Sequence, residues 1–236
     1  MKKVGMVLMV VGLIVLFGYG GYKFLKYKEA STEYEKIQKE YVKKEGEKFP
    51  IDVQGLLDTN SEFVAWISID GVISYPVVKG GDNSHYLYYT YEGLRNNSGA
   101  IFMNSENNIE FSDINTVIYG HNMLDNSMFE PIKKYASVEQ YQTQPLIKIY
   151  TKDKRELTYE VVSFQETYST SECYRLPVND TEHEQLLNEI KTKKAYETSR
   201  KSLSKEDKIL TLSTCKWGNI RYVLQGVLVA EKQYQE

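Results

Sequence analysis

Eight stretches of β-type sequence recur between residues 66 and 231, and this recurrence narrows the possible folds more than any other feature of the chain. Each is a short run of alternating or β-branched residues, and turn formers such as Gly71, the Gly80–Gly81 pair and the 152–154 cluster separate them. About eight strands in one domain predict a closed or nearly closed β-barrel, since closure removes exposed strand edges. The predicted strands are 66–70, 74–78, 100–104, 115–119, 146–151, 156–165, 208–215 and 221–231.

Helical patterns interrupt this series. A short one lies within residues 52–64, a second covers 127–135, and the clearest covers 180–197, with Asp180 or Thr181 as its N-cap. We therefore expect a mostly β single domain that carries a long helix shortly before its last two strands. The apolar stripe of that helix consists of Leu186, Leu187 and Ile190.

An uncharged stretch near the N-terminus, residues 4–22, follows Lys2 and Lys3. Its roughly 19 residues, at about 1.5 Å per residue, match a hydrocarbon core of ~30 Å and predict a retained transmembrane helix. A cleavable signal peptide is the alternative, although its apolar region is usually shorter and residues 18–21 form a poor cleavage site. Because a catalytic-looking domain follows a short stub, we expect a single-pass protein of the cell membrane with its N-terminus inside and its domain outside.

Three segments follow from these patterns. We expect residues 1–26 to form the membrane anchor with its short cytoplasmic stub, and residues 27–48 to form a charge-dense helical stalk or a helix lying on the domain. Residues 49–236 then form the catalytic β-barrel domain. The net charge of −3 provides no basic field, so nucleic acid is not an expected partner. The sequence contains no HExxH, CxxC or GxSxG motif, and therefore no metal site, cofactor or serine nucleophile is expected.

The stretch 211–223, TLSTCKWGNIRYV, holds one of only two cysteines in the chain. Strand alternation places Cys215 and Ser213 on one face and Leu212 on the core face, so the cysteine is expected to face outward at the floor of a polar groove. A hairpin symmetric about Gly218 would set Arg221 opposite Cys215. The guanidinium would favour the thiolate and suit a developing oxyanion. The alternative is that Arg221 only solvates a strand edge and Cys215 is an ordinary buried thiol.

A cysteine acylated by an amide must also send a proton to the leaving amine, and histidine is the usual acid. His121 follows the β-run NTVIYG at a strand end, whereas His85 is expected at a helix start or on the surface and His183 on the polar side of its helix. His121 is therefore the candidate, with a purely structural role as the alternative. In an exported domain, a Cys173–Cys215 disulfide is also open, and it would exclude thiol chemistry.

The motifs TLSTC at a strand end, RYVLQGVLV after it and YGHNM upstream resemble the signature of the sortases, the cysteine transpeptidases of Gram-positive cell surfaces. WISIDGVISYPVV, DNSHYL and GAIFMN resemble the early strands of class B members. The resemblance implies a single eight-stranded sortase-type β-barrel with N-terminal helices and a long helix before the cysteine strand. The loop between Cys215 and Arg221 is shorter than is usual in class B.

This resemblance implies a role for each candidate residue. Cys215 resembles the nucleophile that attacks the threonine carbonyl of a C-terminal sorting motif, and His121 resembles the general acid and then the base. Arg221 resembles the residue that holds the substrate backbone and oxyanion, and Ser213 a serine linked to substrate positioning. The implied partners are secreted proteins with a C-terminal sorting signal and an amine of a peptidoglycan precursor or stem peptide, or a pilin lysine.

Two other functions stay open at the level of sequence. A cell-wall cysteine endopeptidase or amidase would use the same cysteine and histidine but pass the acyl group to water. A non-catalytic anchored surface or pilus-accessory domain would have no chemistry, and its two cysteines would pair.

Overall fold

The computed structural model of the protein describes residues 2–43, 48–199, 202–215 and 218–235. Its eight strands close into one barrel in the order β1-β2-β3-β4-β7-β8-β6-β5, which confirms the mostly β barrel prediction. The pairs β2–β3 and β4–β7 are parallel, and the other neighbours are antiparallel. The strands are β1 Phe63–Ile69, β2 Ile73–Val78, β3 Ile101–Met103, β4 Asn115–Gly120, β5 Leu146–Thr151, β6 Arg155–Tyr168, β7 Ile209–Cys215 and β8 Ile220–Gln233.

Among the residues that the structure describes, four α-helices and three 3-10 turns accompany the barrel. The short helix predicted within residues 52–64 is present as Val53–Thr59, and the strand β1 follows it from Phe63. The helix that precedes β7 begins one residue beyond Asn179, whose side chain accepts a hydrogen bond from the backbone N–H of Glu182, so the N-cap prediction was off by one residue. The helices are α1 Lys2–Tyr41, α2 Val53–Thr59, α3 Val138–Thr143 and α4 Asp180–Lys193, and the 3-10 turns are His85–Leu87, Glu130–Ala136 and Glu172–Tyr174.

The helix α1 has two parts with different surroundings. Its N-terminal part is long and apolar enough to cross a membrane by length and composition, with a mean hydropathy of 2.2 over its most apolar window and none of that window buried. Its C-terminal part buries Ala30, Tyr34, Ile37 and Tyr41 against the barrel. These four positions are spaced as one face of a helix. The charged segment after the apolar stretch therefore lies on the domain, and the helix ends at Tyr41.

Strand alternation divides the core into two layers. Leu210 and Leu212 of β7 belong to the main hydrophobic core, whereas the intervening Ile209 packs in a smaller cluster with Leu186 and Ile190 of α4. Because successive side chains of a strand point to opposite faces, α4 covers part of the barrel's outer surface. The outer face of β7 is consequently buried along much of its length.

The helical insertion predicted over 127–135 is present as a 3-10 helix over Glu130–Ala136. It begins three residues later than predicted, because Met128 has a positive φ angle of 58° that a helix cannot include. The prediction for His183 was wrong: instead of lying on the polar side of its helix, it is buried, with only 3% of its surface exposed.

Candidate active site

The ends of three neighbouring strands bring the predicted catalytic positions together. The strand β7 lies between β4 and β8. Its parallel register pairs Thr214 with Gly120, so His121 follows immediately beside Cys215. Its antiparallel register pairs Cys215 directly with Arg221. Opposed residues of an antiparallel pair have Cβ atoms roughly 4.5–5.5 Å apart. The fold therefore gathers the three positions at one end of the barrel from separate parts of the chain.

The atoms of the Cys215 side chain lie outside the described part of the structure, and so do Lys216 and Trp217 of the following loop. Strand alternation places Cys215 on the same face of β7 as Ser213, opposite to the core residue Leu212. The predicted outward face is thus the face that carries Ser213, which is itself 2% exposed beneath the chain that covers it.

A backbone carbonyl fixes the orientation of the His121 ring. Nε2 of His121 donates to the carbonyl oxygen of Leu87 over 2.8 Å. Leu87 ends the 3-10 turn His85–Leu87, and the carboxylate of Asp82 holds the start of that turn by accepting from the backbone N–H of Ser84 (2.6 Å) and of His85 (2.8 Å). Because a carbonyl only accepts, the proton of the neutral ring resides on Nε2 and Nδ1 is available for proton exchange.

Burial lowers the pKa of the His121 imidazole below its ordinary value, and the hydrogen bond to Leu87 opposes this shift only in part. Burial disfavours the charged form of a base, whereas a bound acceptor stabilises the N–H of the imidazolium. The ring is therefore neutral at neutral pH and begins a reaction as a proton acceptor.

A tightly packed glycine supports this histidine from behind. Gly99 has a φ of +55°, and a Cβ atom there would lie 2.4 Å from the Tyr86 carbonyl oxygen and 3.0 Å from both Cδ2 of His121 and the Leu87 carbonyl oxygen. The buried hydroxyl of Tyr34 in α1 donates to the Gly99 carbonyl over 2.7 Å. The N-terminal helix is therefore linked to the histidine through one glycine.

The Arg221 side chain is anchored at the turn between β7 and β8. Its Nη1 donates to the carbonyl oxygens of Gly218 (2.8 Å) and Ile220 (2.9 Å), and Gly218 takes the positive φ of 60° that this turn requires. The remaining guanidinium N–H groups have no hydrogen-bond partner among the residues that the structure describes. They are free to donate to an oxyanion or a substrate carbonyl.

A cavity of about 280 Å³ opens beside these strand ends. Ser213 and Arg221 line it together with Tyr174, whose hydroxyl is 2.7 Å from Oγ of Ser213. Leu87 and Tyr119 complete the wall next to His121. The volume and the mixture of aromatic and polar walls suit a short extended peptide segment.

A buried asparagine places Tyr174 in the cavity wall. The side-chain amide of Asn115 donates to the carbonyls of Cys173 and Arg175, each over 2.9 Å, and accepts from the Thr211 hydroxyl over 2.8 Å. This bridge fastens the covering segment onto β4 and β7. The sequence analysis missed Tyr174, because it lies in a stretch without periodicity. It also missed Leu87 and Gly99, because Leu87 acts through its backbone carbonyl and Gly99 has no side chain.

The second cysteine is a free thiol. Cys173 is fully buried, and burial raises the pKa of its thiol to about 12, which keeps it protonated and inert at neutral pH. The Cys173–Cys215 disulfide of the non-catalytic alternative is therefore absent, and that alternative is wrong on this point. His85 is exposed on its 3-10 turn and stacks on Tyr89, as a surface histidine was expected to do.

Comparisons with known proteins agree with this geometry. The family model of the Sortase domain matches residues 67–231. Sortase B of Listeria monocytogenes is 34% identical over 188 residues, which cover 76% of this chain and 75% of the relative. The Staphylococcus aureus sortase B–substrate complex is similar in structure, with a TM-score of 0.74, 27% identity and coverage of 87% and 98%. A sortase B complexed with triglycine has a TM-score of 0.75, 28% identity and coverage of 86% and 98%.

Proposed function

This chain belongs to the sortase family and is a cysteine transpeptidase related to class B sortases, and from that premise we propose that it joins exported proteins to an amine of the cell wall. In this proposal the enzyme cleaves a C-terminal sorting motif after its threonine and forms a thioester on Cys215. An amine of a peptidoglycan precursor then resolves the thioester. The observation that carries the proposal is the strand register that sets Cys215 between His121 and Arg221 at one barrel end.

The first half-reaction forms the acyl-enzyme. Neutral His121 takes the thiol proton of Cys215 at Nδ1, and the sulfur attacks the threonine carbonyl carbon. The oxyanion that develops on the carbonyl receives N–H donors from Arg221. The imidazolium, held by its Nε2–H bond to Leu87, then gives its proton to the departing amine as the C–N bond breaks.

The second half-reaction reverses these roles. An incoming amine loses a proton to His121 and attacks the thioester carbonyl, and the C–S bond then breaks as the imidazolium returns that proton to the leaving sulfur of Cys215. The acyl group passes from an amide to a thioester and then to a new amide, with no change of oxidation state, so no oxidant or cofactor is needed. The relative that is complexed with triglycine supports a peptide amine as the acceptor class, and the relative solved as a substrate complex supports a peptide in the cavity.

The apolar part of α1 is the segment that would hold the enzyme at the membrane. We propose that it anchors the enzyme as a single-pass helix with the N-terminus inside, residues 1–26 forming the anchor, residues 27–48 the connecting segment and residues 49–236 the catalytic domain. The 0% burial of its most apolar window supports this assignment. Anchoring raises the effective concentration of a membrane-linked substrate and acceptor without new contacts.

Mass spectrometry of the full chain incubated with a library of sorting-signal peptides tests the proposal. We expect an acyl adduct on the Cys215 peptide, its loss in Cys215→Ala, and its conversion to an amide product when triglycine is supplied. Cys173→Ala is the matched control and should keep the adduct, because that thiol is buried and protonated. Products that contain only water-derived carboxylate, even with excess triglycine, would show a hydrolytic endopeptidase instead.

A further inference from the structure

The segment 88–97 of the globular domain runs along α1 toward the apolar stretch. The backbone N–H of Tyr91 donates to the Tyr34 hydroxyl over 3.1 Å, and the side-chain amide of Asn96 donates to the Lys26 carbonyl over 2.7 Å. Because an α-helix rises about 1.5 Å per residue, the two attachment points on α1 are roughly 12 Å apart along its axis. The domain is thus fastened to the helix one turn away from where the uncharged stretch ends at Tyr22.

A cleft of about 440 Å³ lies between this segment and the helix. Tyr22 and Lys26 line it from α1, and Tyr88 and Arg95 line it from the domain. Both tyrosines are largely exposed, at 58% and 53%. The cleft therefore combines aromatic rings with two cationic side chains at the junction between an apolar helix and a polar domain.

Arg95 carries the uncompensated charge of this cleft. Lys26 is paired with Glu29 over 2.6 Å, so its ammonium already has a counter-charge. The guanidinium of Arg95 is exposed, and it has no ion pair or hydrogen bond among the described residues. A planar guanidinium binds phosphate in a bidentate geometry, and one without a partner among the described residues is available to an anion from outside the chain.

We infer that this cleft, formed by Tyr22, Lys26, Tyr88 and Arg95, binds the phosphate of an anionic glycerophospholipid headgroup. The inference rests on the proposed membrane anchor. If residues 4–22 span the hydrocarbon, the cleft lies within one helical turn of the boundary, which is the depth of the headgroups. Tyrosine side chains favour that layer, and basic side chains near an anionic leaflet gain about 1 kcal/mol each.

The position of the cleft links the bilayer to the catalytic centre. Tyr88 directly follows Leu87, whose carbonyl holds the His121 ring. A phosphate bound between Tyr88 and Arg95 therefore fixes this end of the barrel, and with it the histidine, at a set height above the membrane. Such a restraint matches the site to a substrate and an acceptor that are themselves tied to the bilayer.

Hydrogen–deuterium exchange of the full chain tests this site. We compare the protein in nanodiscs of phosphatidylglycerol and phosphatidylcholine with the protein in maltoside micelles, which contain no phosphate. We expect exchange in segment 88–97 to slow by about fivefold in nanodiscs, as one basic residue at an anionic surface predicts. Arg95→Glu should remove this protection, whereas Lys152→Glu, a charge reversal at a half-buried lysine on the turn between β5 and β6, should keep it.

Each other outcome contradicts the inference in a recognisable way. Failure of the chain to co-elute with nanodiscs would overturn the membrane anchor and this inference with it. Co-elution without protection of segment 88–97, or protection that survives Arg95→Glu, would overturn the headgroup site alone. Equal protection in micelles on adding inorganic phosphate would assign the cleft to a soluble anion. Equal hydrolysis of a soluble sorting peptide by wild type and Arg95→Glu in micelles verifies that the variant is folded.

Discussion

His121 and Leu87 are joined by a hydrogen bond of 2.8 Å between the ring Nε2 and the backbone carbonyl oxygen, across 34 positions of sequence. The carbonyl does what a carboxylate does in many hydrolytic triads, because it selects a tautomer and holds a ring plane. It adds no negative charge, however, so the imidazolium is stabilised less than it would be beside an ionised acid. Burial lowers the pKa of His121, and the hydrogen bond to this neutral carbonyl offsets the lowering only in part.

Gly99→Ala should damage catalysis through this pair. The new methyl group would press on the Tyr86 and Leu87 carbonyls and on the His121 ring, in a residue whose φ is already +55°. We expect kcat/KM for a sorting peptide to fall by about 10- to 100-fold, as for other small displacements of catalytic groups. Gly81→Ala is the matched control, since a Cβ atom there has nothing within 4 Å. Equal activity of the two variants would contradict the supporting role of Gly99.

The pH dependence of His121 should follow its lowered pKa. A base whose pKa is lower in the folded state binds protons better when unfolded, so folding stability is lost as pH falls below the ordinary value of 6.5. Because its pKa is lowered, His121 should titrate below pH 6.5. Above that pH the ring is neutral and can accept the thiol proton. An NMR titration of the three histidines measures this directly, with the His121 resonance identified by its loss in His121→Gln. A His121 midpoint above 6.5 contradicts the assignment.

Arg221→Lys should lose most activity although it keeps the charge. One guanidinium nitrogen is committed to the Gly218 and Ile220 carbonyls, and the remaining donors are those that we propose for the substrate. A lysine ammonium cannot do both from one fixed plane. We expect kcat/KM to fall by about 100-fold, the usual loss for one oxyanion donor. Arg155→Lys, at the start of β6, is the control and should stay near wild type. Near-normal turnover by the Arg221 variant refutes the oxyanion role.

The hydroxyl pair of Tyr174 and Ser213 should act as a unit in substrate binding. Their oxygens are 2.7 Å apart at the cavity wall, and Ser213 is buried. Tyr174→Phe and Ser213→Ala should each raise KM for a sorting peptide a few-fold, with kcat nearly unchanged, because each removes a contact common to ground and transition states. The double variant should be no worse than either single one. Fully additive effects would show that the two hydroxyls act independently.

The sequence predicted the fold well where periodicity carries the information. All eight strands appear within a few residues of their predicted bounds, and the predicted pairing of Cys215 with Arg221 is present because a short turn at Gly218 fixes the hairpin register. Helix boundaries were less accurate, since positive φ angles at Asn126 and Met128 depend on contacts that no local pattern records.

The supporting part of the site could not be predicted for a different reason. The Leu87 carbonyl, the Gly99 turn and the Asn115 bridge act through backbone groups or through partners far away in sequence. Which carbonyl meets which side chain is set by the closed barrel and by the segment folded over β7. Sequence spacing indicates which residues are candidates for the chemistry, whereas their orientation emerges only from tertiary contacts.

Tyr34→Phe should reveal how far α1 belongs to the catalytic domain. Its hydroxyl donates to the Gly99 carbonyl over 2.7 Å and accepts from the Tyr91 N–H over 3.1 Å, and the ring is buried. Removing the hydroxyl leaves two backbone groups unpaired, so we expect a loss of about 1–3 kcal/mol in the free energy of unfolding.

The measurement of this loss uses urea unfolding of a chain that starts at residue 27 and so retains Ala30, Tyr34, Ile37 and Tyr41, the four described apolar positions that α1 buries. Tyr168→Phe, which removes a hydroxyl from a ring that is 64% exposed, should change the free energy by less than about 0.5 kcal/mol. If α1 were only a spacer, the two substitutions would be equally mild. Because Gly99 packs on His121, the Tyr34 variant should also lower kcat at temperatures where it remains folded, which a spacer would not do.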